Sequence, residues 1–278
     1  MTHNVDYHFH PNLPKSRSRA LKKCQNFWAA LQKKNINTVI ITEHNFKNPR
    51  RAYELMKETK PENCFVFPGM EHVTAEGIDV LIFHHSETLY QCQALRPFGC
   101  SLEETIEIAE QHDFACCLAH PHSLAKSSII KRLGHEKYFE YLNKISAVEI
   151  TNASFDNLIR LFEKPILKRI FKKNIIKIYK TKYLPESDYP ENIKFLAVGS
   201  DAHHPKQIGT YCTIEVTDDD LYAQIISNIN PFITERICKK IDIRILLISG
   251  YITFFESMHK YRIILFKKVR NLRWKTLS

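Results

Sequence analysis

Glycine is scarce in this 278-residue chain, at 7 residues, so flexible glycine-rich linkers are excluded. The 8 cysteines form no C-x-x-C pair, and Cys116 and Cys117, inside the apolar run F-A-C-C-L-A, read as small buried hydrophobes rather than as a redox couple. No apolar run approaches the roughly 18 residues needed to cross a bilayer. The best candidate, residues 245–255, has 11. The opening M-T-H-N-V-D-Y-H-F-H has neither the basic start nor the apolar stretch of a signal peptide, which leads to the expectation of a cytoplasmic, reduced chain. Repeats of solenoid period and RNA-binding motifs are also missing from the sequence.

What is present suffices for a large core: 44% of the residues are hydrophobic in 32.6 kDa, which excludes global disorder. The formal charge is +10, but it is unevenly spread. Residues 160–182 carry nine bases and one acid, and residues 232–278 carry eleven bases and three acids, so the remainder of the chain is acidic. The strand and helix rhythm stops near Asn230-Pro231. This places a barrel domain at 1–231 and a basic, amphipathic helical extension at 232–278. The first basic stretch is read either as a solvated helix or as a cationic approach for a polyanionic substrate, nucleic acid included. For the extension, packing on the barrel or on a second subunit is favoured over binding to nucleic acid or membrane.

Short β-branched runs alternate with segments of helical period, the pattern of βα units around a parallel sheet or barrel. Strands are expected at residues 5–9, 38–42, 64–68, 78–83, 115–119, 147–150 and 195–199. Helices are expected at 16–34, 49–58, 102–112 and 136–144. Ser101 and Glu104 form a capping box ahead of the third helix. The polar residues recur where strands end: His8 and His10, Glu43 and His44, Glu71, His84 and His85, His120, Glu149 and Asn152, Asp201 and His203. In a parallel barrel all of these ends converge on one rim, where active sites are assembled from separate loops. Along a strand, residues i and i+2 share a face, so His8 and His10 present two imidazoles to one ion with Asp6 behind them. Imidazoles mixed with carboxylates suit zinc, manganese or iron, and paired cations activate water and clamp a phosphoryl centre.

Read in order, D-Y-H-F-H-P-N, I-T-E-H-N, P-G-M-E-H, I-F-H-H, L-A-H-P-H, E-I-T-N-A-S and V-G-S-D-A-H-H-P resemble the PHP (polymerase and histidinol phosphatase) phosphoesterases over about residues 4–215. The resemblance implies a distorted (β/α)7 barrel with two or three divalent metal ions. It puts His8, His10, Glu71 and Asp201 on a first metal, with Glu71 bridging to a second held by His120 and by His84 in preference to His85. His44 and His203 fall at a third position. Relatives complete that position with an Asp or His where this chain has Pro14-Lys15-Ser16, so two metals and an exchangeable third are expected. Glu43 stands where relatives carry Asp and is expected to keep an orienting role. Asp201, His203, His44 and Glu71 are the expected catalytic groups, and His122, His204 and Arg50 the candidates for contacting substrate phosphate. Asn152 and Glu149 are read as either orienting a ligand or ending a strand, with the second favoured for Glu149. The implied reaction is hydrolysis of a phosphomonoester, of a small metabolite or a nucleotide, by hydroxide formed on a metal. A nuclease acting on nucleic-acid ends and a non-catalytic scaffold are the alternatives.

Overall fold

The computed structural model describes residues 1–123, 127–154, 189–217, 220–234 and 258. The basic stretch at 160–182 and most of the extension beyond residue 231 lie outside them. The chain divides into one unit of Met1–Ile237 and another of Cys238–Ser278, and the sheet and all of the candidate site residues belong to the first.

All seven expected strands form: β1 (Thr2–Phe9), β2 (Thr38–Ile41), β3 (Phe65–Val73), β4 (Asp79–Phe83), β5 (Ala115–Leu118), β6 (Ala147–Asn152) and β7 (Phe195–Gly199). Two more come after them, β8 (Tyr211–Glu215) and β9 (Phe232–Thr234), and the sheet runs β7-β6-β5-β4-β3-β2-β1-β8-β9. The expected helices appear as α1 (Arg17–Gln32), α2 (Pro49–Glu58), α3 (Leu102–Gln111) and α5 (His135–Leu142), with short α4 (Ile129–Leu133) and α6 (Leu221–Ile225) added. On α1, Ala20, Cys24, Phe27, Trp28 and Leu31 are buried, a single helical stripe that packs with Met56 of α2 and with Val39 and Ile41 of β2. The Trp28 indole donates to the carbonyl of Met56 at 3.0 Å and locks the two helices together. At the start of α3 the capping box is present in both directions: Glu104 N–H donates to Ser101 Oγ at 3.1 Å, and Ser101 N–H to Glu104 Oε2 at 2.7 Å.

The reading of uniformly parallel strands needs one correction that matters for the site. β4 is antiparallel to both β3 and β5. The chain reverses from β3 through residues 74–78, where Gly77 adopts φ +81° and Thr74 N–H donates to the Ile78 carbonyl at 2.9 Å. A parallel return needs a crossover of a dozen residues or more, so a link this short can only make a hairpin. The carboxyl end of β4 therefore lies at the opposite end of the sheet from those of β3 and β5.

The sheet curls into a nearly closed barrel. Past the end of β7 the chain runs alongside β1: Asp201 N–H donates to the His8 carbonyl at 2.7 Å and His10 N–H to the Ala202 carbonyl at 2.9 Å. Gly199 makes this seam possible, because a Cβ there would stand 2.2 Å from the Cβ of His8. β1 is thus held by β2 and β8 along the sheet and by the residues after β7 at the rim.

Candidate metal centre

Period-two alternation on β1 places Asp6, His8 and His10 on one face, and all three are buried with 0% exposure. Glu71 reaches the same rim because β3 runs on past the end of β2, bringing it beside His44 through a parallel bridge. His120 and Asp201 follow the ends of β5 and β7 in left-handed backbone, φ +29° and +47°. Such conformations cost non-glycine residues about 1–3 kcal/mol each. Here they are held by hydrogen bonds: His120 N–H donates to Glu149 Oε2 at 2.6 Å, and Asp201 N–H is the seam bond to His8.

Three sets of possible ligands result, each with its donor atoms within 4.8 Å of one another: His8, His10 and Asp201; His10, His44 and His203; Glu71, Asp79 and His120. Glu71 lies among all of them. Its Oε1 is 3.6 Å from His8 Nε2 and 3.2 Å from His120 Nε2; its Oε2 is 3.8 Å from His10 Nε2 and also meets His44 Nδ1. The Nε2 atoms of His8 and His10 stand 2.9 Å apart, with Asp201 Oδ1 3.3 Å from the second. His8 Nδ1 faces Glu149 Oε1 at 2.9 Å, and since a carboxylate only accepts, Nδ1 carries a proton and Nε2 is the nitrogen left to face a cation. Two imidazole nitrogens and a carboxylate oxygen converging in a buried space repel one another unless a proton or a cation lies between them. The residues present therefore fit divalent ions, on the chemistry of the donor set and on this crowding.

Without a metal ion, protons take the place of the cation on His8. Burial would lower His8, but the carboxylates of Glu149, Asp201 and Glu71 outweigh it and push it up to about 10. His10 is lowered, first by burial and then by the neighbouring His203 and His44. Glu71 and Asp201 are held well below the ordinary carboxylate range despite burial, Glu71 by His44 and His120 and Asp201 chiefly by His8. Asp6 sits behind the ligands, accepting from Ser200 N–H at 2.9 Å and His8 N–H at 3.2 Å, and burial raises it to about 7. Glu43 accepts from Asn12 N–H at 2.6 Å and lies 3.4 Å from Lys47 Nζ and 3.8 Å from His10 Nδ1, the orienting place expected for it. His203 Nδ1 contacts its neighbour's carbonyl, Asp201 O, at 3.1 Å, and its ring stacks on His10 with centroids 4.4 Å apart. In the Pro14-Lys15-Ser16 stretch, the carbonyls of Pro14 and Lys15 accept from Arg51 Nη2 at 2.9 and 3.2 Å, tying that loop to α2.

The structure thus brings together His8, His10, His44, Glu71, His120, Asp201 and His203. It does not bring His84. With β4 reversed, His84 lies beyond the far end of that strand, five residues or about 17 Å along it from Asp79. There His84 Nδ1 meets the hydroxyls of Ser86 and Thr88 at 3.0 and 3.1 Å, and the ring packs against Phe114. His85 is beside it, against Tyr222. Asp79, at the near end of β4 and 3.9 Å from His120 Nε2, takes the place that sequence reading gives to His84. Arg50 pairs with Glu54 at 2.8 Å on the exposed side of α2, His122 packs edge-on against Tyr138, and His204 accepts from Lys206 N–H at 3.2 Å at the start of a short 3-10 turn. Glu149 does more than end a strand, since its two oxygens engage His8 and His120. Asn152 donates to Glu149 Oε1 and to Asp201 Oδ2, at 3.2 and 3.3 Å.

No family model and no curated protein matches the chain. Solved structures do. PsfC from Pseudomonas syringae PB-5123 superposes with a TM-score of 0.56 at 16% identity, over 92% of this chain and 99% of that one. The lesion-specific endonuclease PfuEndoQ from Pyrococcus furiosus gives 0.51 at 18% identity, over 84% of this chain and 58% of that one. An Endonuclease Q bound to a 27-mer duplex with an abasic lesion at its active site gives 0.50 at 18% identity. The chain spans little more than half of either endonuclease, at 58% and 55% of their lengths. These likenesses show the fold, a PHP-type barrel. Among the described residues no helix is long and apolar enough to cross a membrane.

Proposed function

We propose that this chain is a divalent-metal-dependent phosphoesterase that hydrolyses the phosphomonoester of a small metabolite or nucleotide. The barrel fold and the three ligand sets fit a metal-dependent hydrolase. One observation carries the reading: the Glu71 carboxylate faces imidazoles belonging to all three sets, the arrangement of an acid shared between neighbouring cations. His8, His10 and Asp201 would hold one ion, Glu71, Asp79 and His120 a second, and His10, His44 and His203 an exchangeable third. When bound, such ions acidify water and offset the charge that builds on phosphoryl oxygens. The protein's own groups do the rest. Glu149 holds the Nδ1 proton of His8, and Glu43, anchored by the Asn12 and His44 amides, lies 3.8 Å from His10 Nδ1. Burial of the cluster keeps these dipoles and charges in a low-dielectric setting, where they act more strongly than in water.

The test is to strip the protein with a chelator, restore Mn²⁺, Zn²⁺ or Fe²⁺ singly, and assay a panel of phosphate esters. Metal-dependent release of inorganic phosphate from monoesters is expected. Failure to bind any of the three ions, with no turnover on the panel, overturns the reading in favour of a scaffold. A second reading, cleavage at nucleic-acid ends, draws on the fold shared with the endonucleases and on the +8 segments at 160–182 and 232–278. End-labelled oligonucleotides in the same assay separate the two: salt-sensitive shortening of the strands, without turnover of mononucleotides, supports the second.

A further inference from the structure

Glu149 projects from β6, yet it touches residues belonging to two different ligand sets. Its Oε1 lies 2.9 Å from Nδ1 of His8, in the first set, and its Oε2 accepts from the backbone N–H of His120, in the second, at 2.6 Å. The strand between β6 and β1 is β7, and its residue at the crossing is Gly199. A Cβ at 199 would stand 2.9 Å from Glu149 Oε1 as well as 2.2 Å from the Cβ of His8, so the carboxylate reaches across only because glycine leaves the way open. Asn152 completes the arrangement, donating to both Glu149 oxygens at 3.2 and 3.3 Å and to Asp201 Oδ2 at 3.3 Å.

We propose that Glu149 is a positioning residue that couples the two metal positions, one oxygen setting the tautomer and tilt of His8 while the other holds His120 in its left-handed backbone. The proposal rests on the metal reading above. It has a chemical signature. A carboxylate offers acceptors at both ends, whereas the isosteric amide of glutamine offers one acceptor and one donor. In Glu149→Gln, either the His8 Nδ1 proton or the His120 amide faces a second donor, so one ligand must move although size and shape are kept.

The experiment is a Co²⁺ titration of the full chain, followed by calorimetry and by the visible d–d absorption, for wild type, Glu149→Gln and Asn152→Ala. Outer partners of metal-binding histidines typically set affinity by about 10–100-fold. Glu149→Gln is expected to weaken Co²⁺ by that factor and to alter the d–d band, with the metal-free circular dichroism unchanged. Asn152→Ala, which leaves both oxygens in place, is expected to weaken binding less. Wild-type affinity and band shape in Glu149→Gln overturn the proposal. If wild type itself takes up no Co²⁺, it is the metal reading that fails. Should Glu149→Gln not fold, Glu149→Asp serves instead: one methylene shorter, it reaches only one of the two donors and is expected to show the same loss, and wild-type Co²⁺ affinity in it is equally fatal.

Discussion

Gly199→Ala puts the barrel seam to a quantitative test. Elsewhere in a strand, exchanging glycine for alanine stabilises by about 0.4–1 kcal/mol, because the unfolded chain loses freedom. At 199 the added Cβ would lie 2.2 Å from the His8 Cβ and 3.0 Å from the His8 nitrogen. Carbon atoms rest about 3.5–4.0 Å apart, so β7 and β1 must part by well over about 1 Å. That stretches the 2.7 Å bond from Asp201 N–H to the His8 carbonyl beyond usefulness. Overpacking costs about 1–3 kcal/mol and the lost hydrogen bond about 1 more, which against the entropic gain leaves a net destabilisation of roughly 1–3.5 kcal/mol. At about 2–4 °C per kcal/mol for a unit of this size, the Tm should fall by roughly 2–14 °C. Since His8 and Asp201 lie on opposite sides of the seam, metal affinity should fall with it. The assay is thermal and urea unfolding of the metal-free protein, paired with a metal titration. A variant that melts at or above the wild-type temperature and binds metal unchanged refutes the seam, and the sign alone decides.

Removal of the metals by chelation is expected to lower the Tm, since ions that bind only the folded state stabilise it by mass action; an unchanged melt would contradict this. His8→Ala and Asp201→Ala should abolish phosphate release while keeping the far-ultraviolet circular dichroism of the wild type. Asp79→Ala should lose one metal equivalent by elemental analysis after dialysis, and His84→Ala should lose none; the reverse result would restore the parallel reading of β4. His72 is fully buried, accepts from Asn45 at 2.6 Å, and is depressed by burial to about 4. The unfolded chain, with a histidine pKa near about 6.5, therefore takes up a proton that the folded chain refuses. The stabilisation is complete above that value and is lost as pH falls toward 4, by about 3 kcal/mol in all. Urea unfolding at pH 7 and pH 4.5 should show a smaller acid loss in His72→Leu than in wild type.

Much of this centre is visible in the residues alone. The H-x-H pair at 8 and 10 needs only strand periodicity to be read as one face, and His120 and Asp201 stand where apolar runs stop. Direction is the harder matter. Polar groups at the carboxyl ends of strands mark one rim only if every strand points the same way, and β4 does not. The nine residues 69–77 between the expected strands carry the clue, being too few for a crossover, and counting them turns attention from His84 to Asp79. β8 shows as the alternation Y-C-T-I-E, but the T-D-D-D that follows it holds no histidine, so a search for strand ends by their imidazoles passes over it. Glu149 belongs to a different class. Its importance depends on a partner 141 residues away and on a gap left by glycine in the strand between, and neither follows from local pattern. The facing of Arg50 is similarly beyond local pattern: on α2 it turns outward to Glu54.

The place of β1 also governs when a cage can exist at all. Its partners are β2, the next strand in the chain, and strands and rim residues that come some two hundred positions later, with Thr2 opposite Glu215 and Phe9 opposite Ala202. At a synthesis rate of about 5–20 residues per second, the nascent chain carries His8 and His10 for about 10–40 s before Asp201 and His203 have been made. On the proposed metal reading, the paired imidazoles are all that the growing polypeptide offers an ion during that interval. A full set of donors, and with it any selectivity, then arises only at closure, when translation has delivered the last acid and the first strand is zipped into place.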